Sequence, residues 1–197
     1  MGELGLFPLE IVLLPGELVP LHIFEPRYRE LIGECLDEDG EFGLLFADDR
    51  GVRELGTRAR VVEVVERFDD GRLNIVVAGG ERFRVLERTS GRTYQTAEVE
   101  SVEDDEGELP PEEVERVRRL YRRVAEIAGS EPDELGDAQL SFGVAARIDF
   151  GPEMKQRLLE LRSEPARLRL LARLLETAQE ALSQVEARRR RAQSNGN

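Results

Sequence analysis

Two apolar runs open the chain, residues 9–14 and 18–24, with Pro15-Gly16 between them. Pro presets φ and Gly tolerates φ > 0, so the pair signals a turn. Short apolar runs bounded by turn residues read as buried strands. The period then changes. Pro26 suits a first helical position, where a missing N–H costs nothing. Tyr28, Leu31, Ile32, Cys35 and Leu36 follow at i, i+3, i+4, i+7 and i+8, which is one helical face. Residues 37–40 stop it. The opening therefore predicts strand, turn, strand, helix.

Period-2 patterns dominate the next stretch. Residues 42–47 read as a strand and 48–51 as a polar turn. A long strand over 59–68 leads to Asp69-Asp70-Gly71, a hairpin signal. The return strand, 73–78, alternates through Leu73, Ile75 and Val77, and Gly79-Gly80 is expected to end it in a tight turn. A strand over 81–87 sets Phe83 and Val85 on one face and Arg82 and Arg84 on the other. Residues 93–102 alternate again, with Ala97 and Val99 inward. Many short strands with regular turns predict a small barrel-like β domain, and the early helix would plug one end.

The period is helical after the acidic linker 103–108. Pro110-Pro111 opens a helix with Glu112 and Glu113 in its first turn, where the dipole favours acids. Its face is Val114, Val117, Leu120, Tyr121, Val124 and Ala128, and Gly129 ends it. Asp137 reads as the N-cap of a second helix reaching about Arg147, with Leu140, Val144 and Ile148 inward. Gly151-Pro152 starts a third, carrying Met154, Leu158 and Leu161. Ser163 or Glu164 caps a fourth. There Leu168, Leu171, Leu175, Ala178, Leu182 and Val185 alternate steps of three and four, an a/d seam. That seam suits packing within a four-helix lobe, or a homodimer through the C-terminal helix. The expected fold class is α+β: a β-barrel lobe with one inserted helix over 1–105, a four-helix lobe over 106–190, and a disordered tail over 191–197.

The order and spacing of these motifs resemble the Lon N-terminal domain, the substrate-binding domain of the ATP-dependent protease Lon. The resemblance rests on Phe7-Pro8-Leu9, Leu13-Leu14-Pro15-Gly16-Glu17, and Pro20-Leu21-His22-Ile23 with Phe24-Glu25-Pro26-Arg27-Tyr28. It continues through Glu54-Leu55-Gly56-Thr57, Gly80-Glu81-Arg82-Phe83 and Met154-Lys155-Gln156, and covers roughly residues 6–185. The variant around Phe24 is similar to stand-alone members. It implies a PUA-like β lobe, a helical lobe, and recognition of unfolded or degron-bearing polypeptides, or of a protease or chaperone partner. His22, Phe24, Arg27 and Tyr28, at the corner where strand meets helix, are the candidate contacts. Beyond the corresponding region Lon carries an ATPase with a Walker motif and a Ser-Lys protease; this sequence contains neither the motif nor a lysine other than Lys155.

Composition narrows the chemistry. The net charge of −13 is uneven: residues 1–109 hold 26 acids against 12 bases. An acidic front half repels phosphates, so nucleic acid is disfavoured and enters only as the alternative of an RNA-binding PUA-like protein through Arg58, Arg60, Arg82 and Arg84. One histidine and one cysteine cannot make a zinc site. His22 within an apolar strand and Cys35 on a helical face do not form a nucleophile–base pair either, so no enzyme and no cofactor are expected. No apolar run reaches membrane-spanning length. No basic segment precedes residues 4–14 and no cleavage site follows them, which reads as a cytoplasmic protein. The four arginines Arg188 to Arg191 suit a solvated helix end.

Overall fold

The computed structural model describes residues 2–136 and 139–194. It is a mixed α+β chain with, among the described residues, seven strands and five helices. The order is β1 (Gly2–Leu9), β2 (Leu18–Ile23), α1 (Pro26–Glu38), β3 (Phe42–Asp48), β4 (Gly51–Val52), β5 (Leu55–Arg67), β6 (Leu73–Thr89), β7 (Thr96–Ser101), α2 (Pro111–Ala128), α3 (Leu140–Ala145), α4 (Pro152–Glu160) and α5 (Glu164–Ser194). Two compact units result, residues 1–104 with 149–162, and residues 105–148 with 163–197.

In the first unit the strand pairings run in a cycle, β1 to β7, β6, β5, β3 and back to β1. All are antiparallel except β1 with β3. Strict alternation on β6 supplies much of the interior. Leu73, Ile75 and Val77 join one core with Phe7, Tyr28, Ile32 and Phe42; Phe83 and Val85 join another with Leu4, Leu6 and Val99. The predicted face of α1 is buried at Tyr28, Leu31, Ile32 and Cys35, with Pro26 in its first turn and Asp39 closing it in the left-handed region.

Three expectations change here. Residues 9–14 are not a strand: β1 ends at Leu9, and a loop follows whose Val12, Leu13 and Leu14 are buried. A buried loop must satisfy its backbone groups. The Leu14 N–H donates to the Glu17 carboxylate at 2.9 Å, and the Thr57 hydroxyl donates to the Leu13 carbonyl at 2.6 Å. Nor does Gly79-Gly80 break a strand, because β6 runs through it to Thr89. Gly79 lies on the inward row, where the Leu14 loop crosses; a Cβ there would sit 2.1 Å from the Leu14 carbonyl oxygen. Glycine marks a close backbone approach, not a turn.

The third change concerns α4. It packs on β5 and belongs with the first unit, so the second unit holds α2, α3 and α5. The polar groups of α4 explain the placement. Lys155 pairs with the buried Glu17 at 2.5 Å, and the Gln156 amide donates to the Leu55 carbonyl at 3.2 Å. Arg82 is also buried and donates to the carbonyls of Leu159 and Leu161 at 2.9 Å each, and to Asp104.

In the second unit α5 packs on α2 and α3. Arg167 is fully buried: it pairs with Glu164 at 2.7 Å, donates to the Ser141 hydroxyl at 3.0 Å, and lies over the Phe142 ring. Leu168, Leu171 and Leu175 are buried, whereas Leu182 is half-buried and Val185 exposed. α3 is shorter than expected, and Asp137 lies outside the described residues. α5 continues to Ser194, so most of the expected tail is helical; residues 195–197 lie outside the described residues. Among the described residues no helix is long and apolar enough to cross a membrane.

Candidate functional site

β5 and β6 form a long hairpin, and β2 pairs with the first half of β6. Three strands therefore lie side by side in the order β2, β6, β5. Their inward row is buried at Ile23, Leu73, Ile75 and Val77. The opposite row faces solvent, and register aligns it across the strands: Leu18 with Ala78 and Arg60, Pro20 with Val76 and Glu63, His22 with Asn74 and Glu66. Hydrogen bonds confirm the last row. Asn74 Oδ1 lies 2.7 Å from His22 Nδ1, and the Asn74 amide donates to Glu66 at 3.0 Å.

The end of this face is aromatic. Phe24 stacks on His22 at a 5.9 Å centroid separation, Phe68 meets His22 edge-on at 6.0 Å, and the Arg72 guanidinium sits 4.9 Å above the Phe68 ring. The hairpin tip is tied to α1, since Arg29 donates to the Asp70 carbonyl at 2.5 Å. Gly71, at φ 83°, makes that turn.

The four candidate contacts separate. His22, Phe24 and Arg27 are exposed, with Phe24 at 59%. Arg27 pairs with Glu25 at 2.8 Å and lies over the Tyr28 ring. Tyr28 is 6% exposed and stacks on Phe7 at 4.0 Å, so it is a core residue under the corner rather than part of its surface. Burial pushes its hydroxyl above the usual range, with Arg27 opposing the shift.

Exposed side chains beyond the four complete the surface. Among the described residues the large exposed apolar ones are Leu18 (64%), Phe24, Val62 (52%), Val65 (59%), Leu86 and Val185, and four of these six belong to β2, its end, and β5. Val62 and Val65 sit at two of the three register shifts between β5 and β6, where one extra β5 residue per shift breaks the alternation. The doublets Val61-Val62 and Val64-Val65 carry that signal in the sequence: a regular strand cannot turn both members of a doublet inward.

The four arginines considered for RNA are dispersed. Arg82 is buried, Arg58 faces Glu41 at 3.7 Å, Arg60 faces Asp39 at 3.8 Å, and Arg84 is exposed. Cys35 is buried, and burial together with Glu34, Glu38 and Glu41 pushes its thiol up to about 11.

Comparison with known proteins gives the ancestry of this arrangement. The family described as the ATP-dependent protease La (LON) substrate-binding domain matches residues 3–177. The chain belongs to that family. It is similar to the crystal structure of a Lon N-terminal domain protein from Xanthomonas campestris, with 28% identity and a TM-score of 0.70 over 87% of this chain and 97% of that one. The N-terminal domain of a Mycobacterium avium complex Lon protease shares the fold at 20% identity and a TM-score of 0.68, over 89% and 98%. A Lon protease of Anaeromyxobacter dehalogenans is 30% identical over 191 residues, which are 87% of this chain and 22% of that protein. The chain thus spans about a fifth of the length of that Lon protease. Within this Lon substrate-binding domain, the resemblance motifs around Leu14 to Glu17 and Lys155-Gln156 are structural, since Glu17, Lys155 and Gln156 hold the loop and α4 in place.

Proposed function

We propose that this chain is a non-catalytic recognition module for unfolded or degron-bearing polypeptides, and that the outer face of β2, β6 and β5 is its contact surface, closing at the Phe24 corner. The observation that carries the reading is the concentration of exposed large apolar side chains on that face. A chain with 35% charged residues has ample polar surface to cover it, and contiguous exposed apolar area marks a binding surface. Apolar segments of non-native chains offer the complementary chemistry. The cyclic strand pairing of the first unit supports the reading of a PUA-like barrel scaffold.

Cys35 and Lys155, two side chains that could carry covalent chemistry, are otherwise engaged. Cys35 is buried with a raised thiol, and thiols react as thiolates. Lys155 is held by Glu17. An RNA-binding reading has less support, because Arg82 is buried and Arg58 and Arg60 face carboxylates.

The test is binding of a permanently unfolded, fluorescently labelled protein to the whole chain and to a Phe24→Ser/Val65→Ser variant checked by circular dichroism. A folded variant should bind at least about tenfold more weakly, given that a buried apolar side chain contributes about 1.5–3 kcal/mol. Equal binding by both would move the function elsewhere, and capture of RNA by the wild type would change its class.

A further inference from the structure

The charged margin of the same face bears on which polypeptides it takes. Glu63 and Glu66 stand on the outer row of β5 beside the apolar centre of Pro20 and Val76, and both are exposed. Glu66 spends one oxygen on the Asn74 amide. Among the described residues neither carboxylate has a cationic side chain in ion-pair contact. Three neighbouring arginines face other carboxylates, Arg27 with Glu25 at 2.8 Å, Arg72 with Asp70 at 2.7 Å and Arg60 with Asp39 at 3.8 Å, while Arg67, next to Glu66 in the chain, is exposed. Asp69 adds a further exposed acid at the hairpin tip. An apolar strip with Glu63 and Glu66 on its β5 side, and three of its nearby arginines turned to other carboxylates, is complementary to one kind of ligand.

We infer that the face selects extended apolar segments flanked by lysine or arginine, with Glu63 and Glu66 taking the flanking cations. This rests on the recognition reading above and adds a charge preference to it. Apolar contact with Phe24, Val62 and Val65 supplies the binding, which is indifferent to the sign of the flanks. The two carboxylates supply the discrimination, since a cation beside them is favoured and an acid is repelled. Exposed pairs of this kind are weak singly and screened by salt, so the preference is a low-salt property.

Three labelled peptides test it, sharing one Val/Phe/Leu core and flanked by Lys-Lys, Ser-Ser or Glu-Glu. Anisotropy is read with the whole chain in 20 mM and 500 mM NaCl. The expected order at low salt is lysine, then serine, then glutamate, with about a fivefold to tenfold gap between the outer two that closes at high salt. Glu63→Gln with Glu66→Gln should abolish the gap and leave the serine peptide unchanged. The same charge removed from α2, by Glu112→Gln with Glu115→Gln, should leave the gap intact. If the α2 variant also loses it, the preference belongs to the net charge of the whole chain and the inference is overturned. If all three peptides bind equally and Phe24→Ser weakens them all, the charge preference is wrong but the recognition face stands. If the serine peptide does not bind, the recognition reading fails first.

Discussion

The adjacent glycines of β6 allow one prediction with its own control. In Gly79→Ala the new Cβ meets the Leu14 carbonyl oxygen at 2.1 Å and the Leu14 carbonyl carbon at 3.0 Å. Both are backbone atoms, so the loop must move as a body. It is held to Gly79 by two backbone hydrogen bonds, from Gly16 N–H to the Gly79 carbonyl at 2.8 Å and from Gly79 N–H to the Glu17 carbonyl at 2.9 Å. Losing both costs about 1–3 kcal/mol. Leu13 and Leu14 are 1% and 0% exposed, and uncovering half of the two side chains adds about 1.5–3 kcal/mol. The expected loss is about 3–5 kcal/mol in the first unit, or a urea midpoint lower by about 2 M. In Gly80→Ala the nearest atom is 3.5 Å away, an ordinary contact, and the change should stay within about 1 kcal/mol. Urea unfolding followed by circular dichroism and tyrosine fluorescence reads both. A Gly79→Ala protein within 1 kcal/mol of wild type, or the two variants equally affected, would refute the close-approach argument.

Other perturbations have signs fixed by the same structure. Lys155→Met leaves the Glu17 carboxylate 7% exposed without its cation; thermal unfolding should show a loss of about 2–3 kcal/mol, partly recovered by adding Glu17→Gln. Arg167→Leu strips Glu164 of its buried partner and should destabilise the helical unit by about 3 kcal/mol in denaturant unfolding. Val62→Thr with Val65→Thr should move the melting temperature by no more than a degree or two, because both side chains are exposed. The Cys35 thiol is raised from 9.0 to about 11 in the folded chain. Folding therefore favours the protonated thiol: its contribution is complete below pH 9 and is lost as pH rises towards 11. Unfolding curves across that window should fall less steeply for Cys35→Ala, and native Cys35 should react with thiol reagents far more slowly than the unfolded chain.

The elements that could be read from the sequence are those in which one local period suffices. The face of α1 follows from five residues at helical spacing, and the inward set of β6 from simple alternation. What could not be read depends on partners remote in sequence. Residues 9–14 are apolar because they are buried, but the burial is that of a loop whose backbone is satisfied by Thr57 and Glu17. Gly79-Gly80 looks like a turn because a glycine pair says only that a Cβ is unwelcome; whether the reason is positive φ or a carbonyl from another segment is a tertiary fact. The amphipathic pattern of α4 likewise states that it has a buried side without stating against what. The one hint was compositional: a chain with many arginines keeps a single lysine, and that lysine reaches a buried carboxylate.

The corner at Phe24 to Tyr28 illustrates the same limit on the proposed contact surface. Phe24 and Tyr28 are both aromatic and four residues apart, yet one is 59% exposed and the other 6%. Tyr28 has the helical phase of Leu31, Ile32 and Cys35, so its burial follows from the period. Phe24 lies beyond the last residue of β2, continuing the outward row of Leu18, Pro20 and His22. Strand phase thus places it outside by the same logic that places Ile23 inside. Neither exposure needs a functional premise. What phase does not require is that Leu18 and Phe24 be apolar, and that β5, across β6, add Val62 and Val65 at two of the three irregularities in its register. Threonine would serve strand propensity equally well at those exposed positions. The apolar positions of β2 and β5, on either side of β6, are the ones that the proposed polypeptide contact would cover.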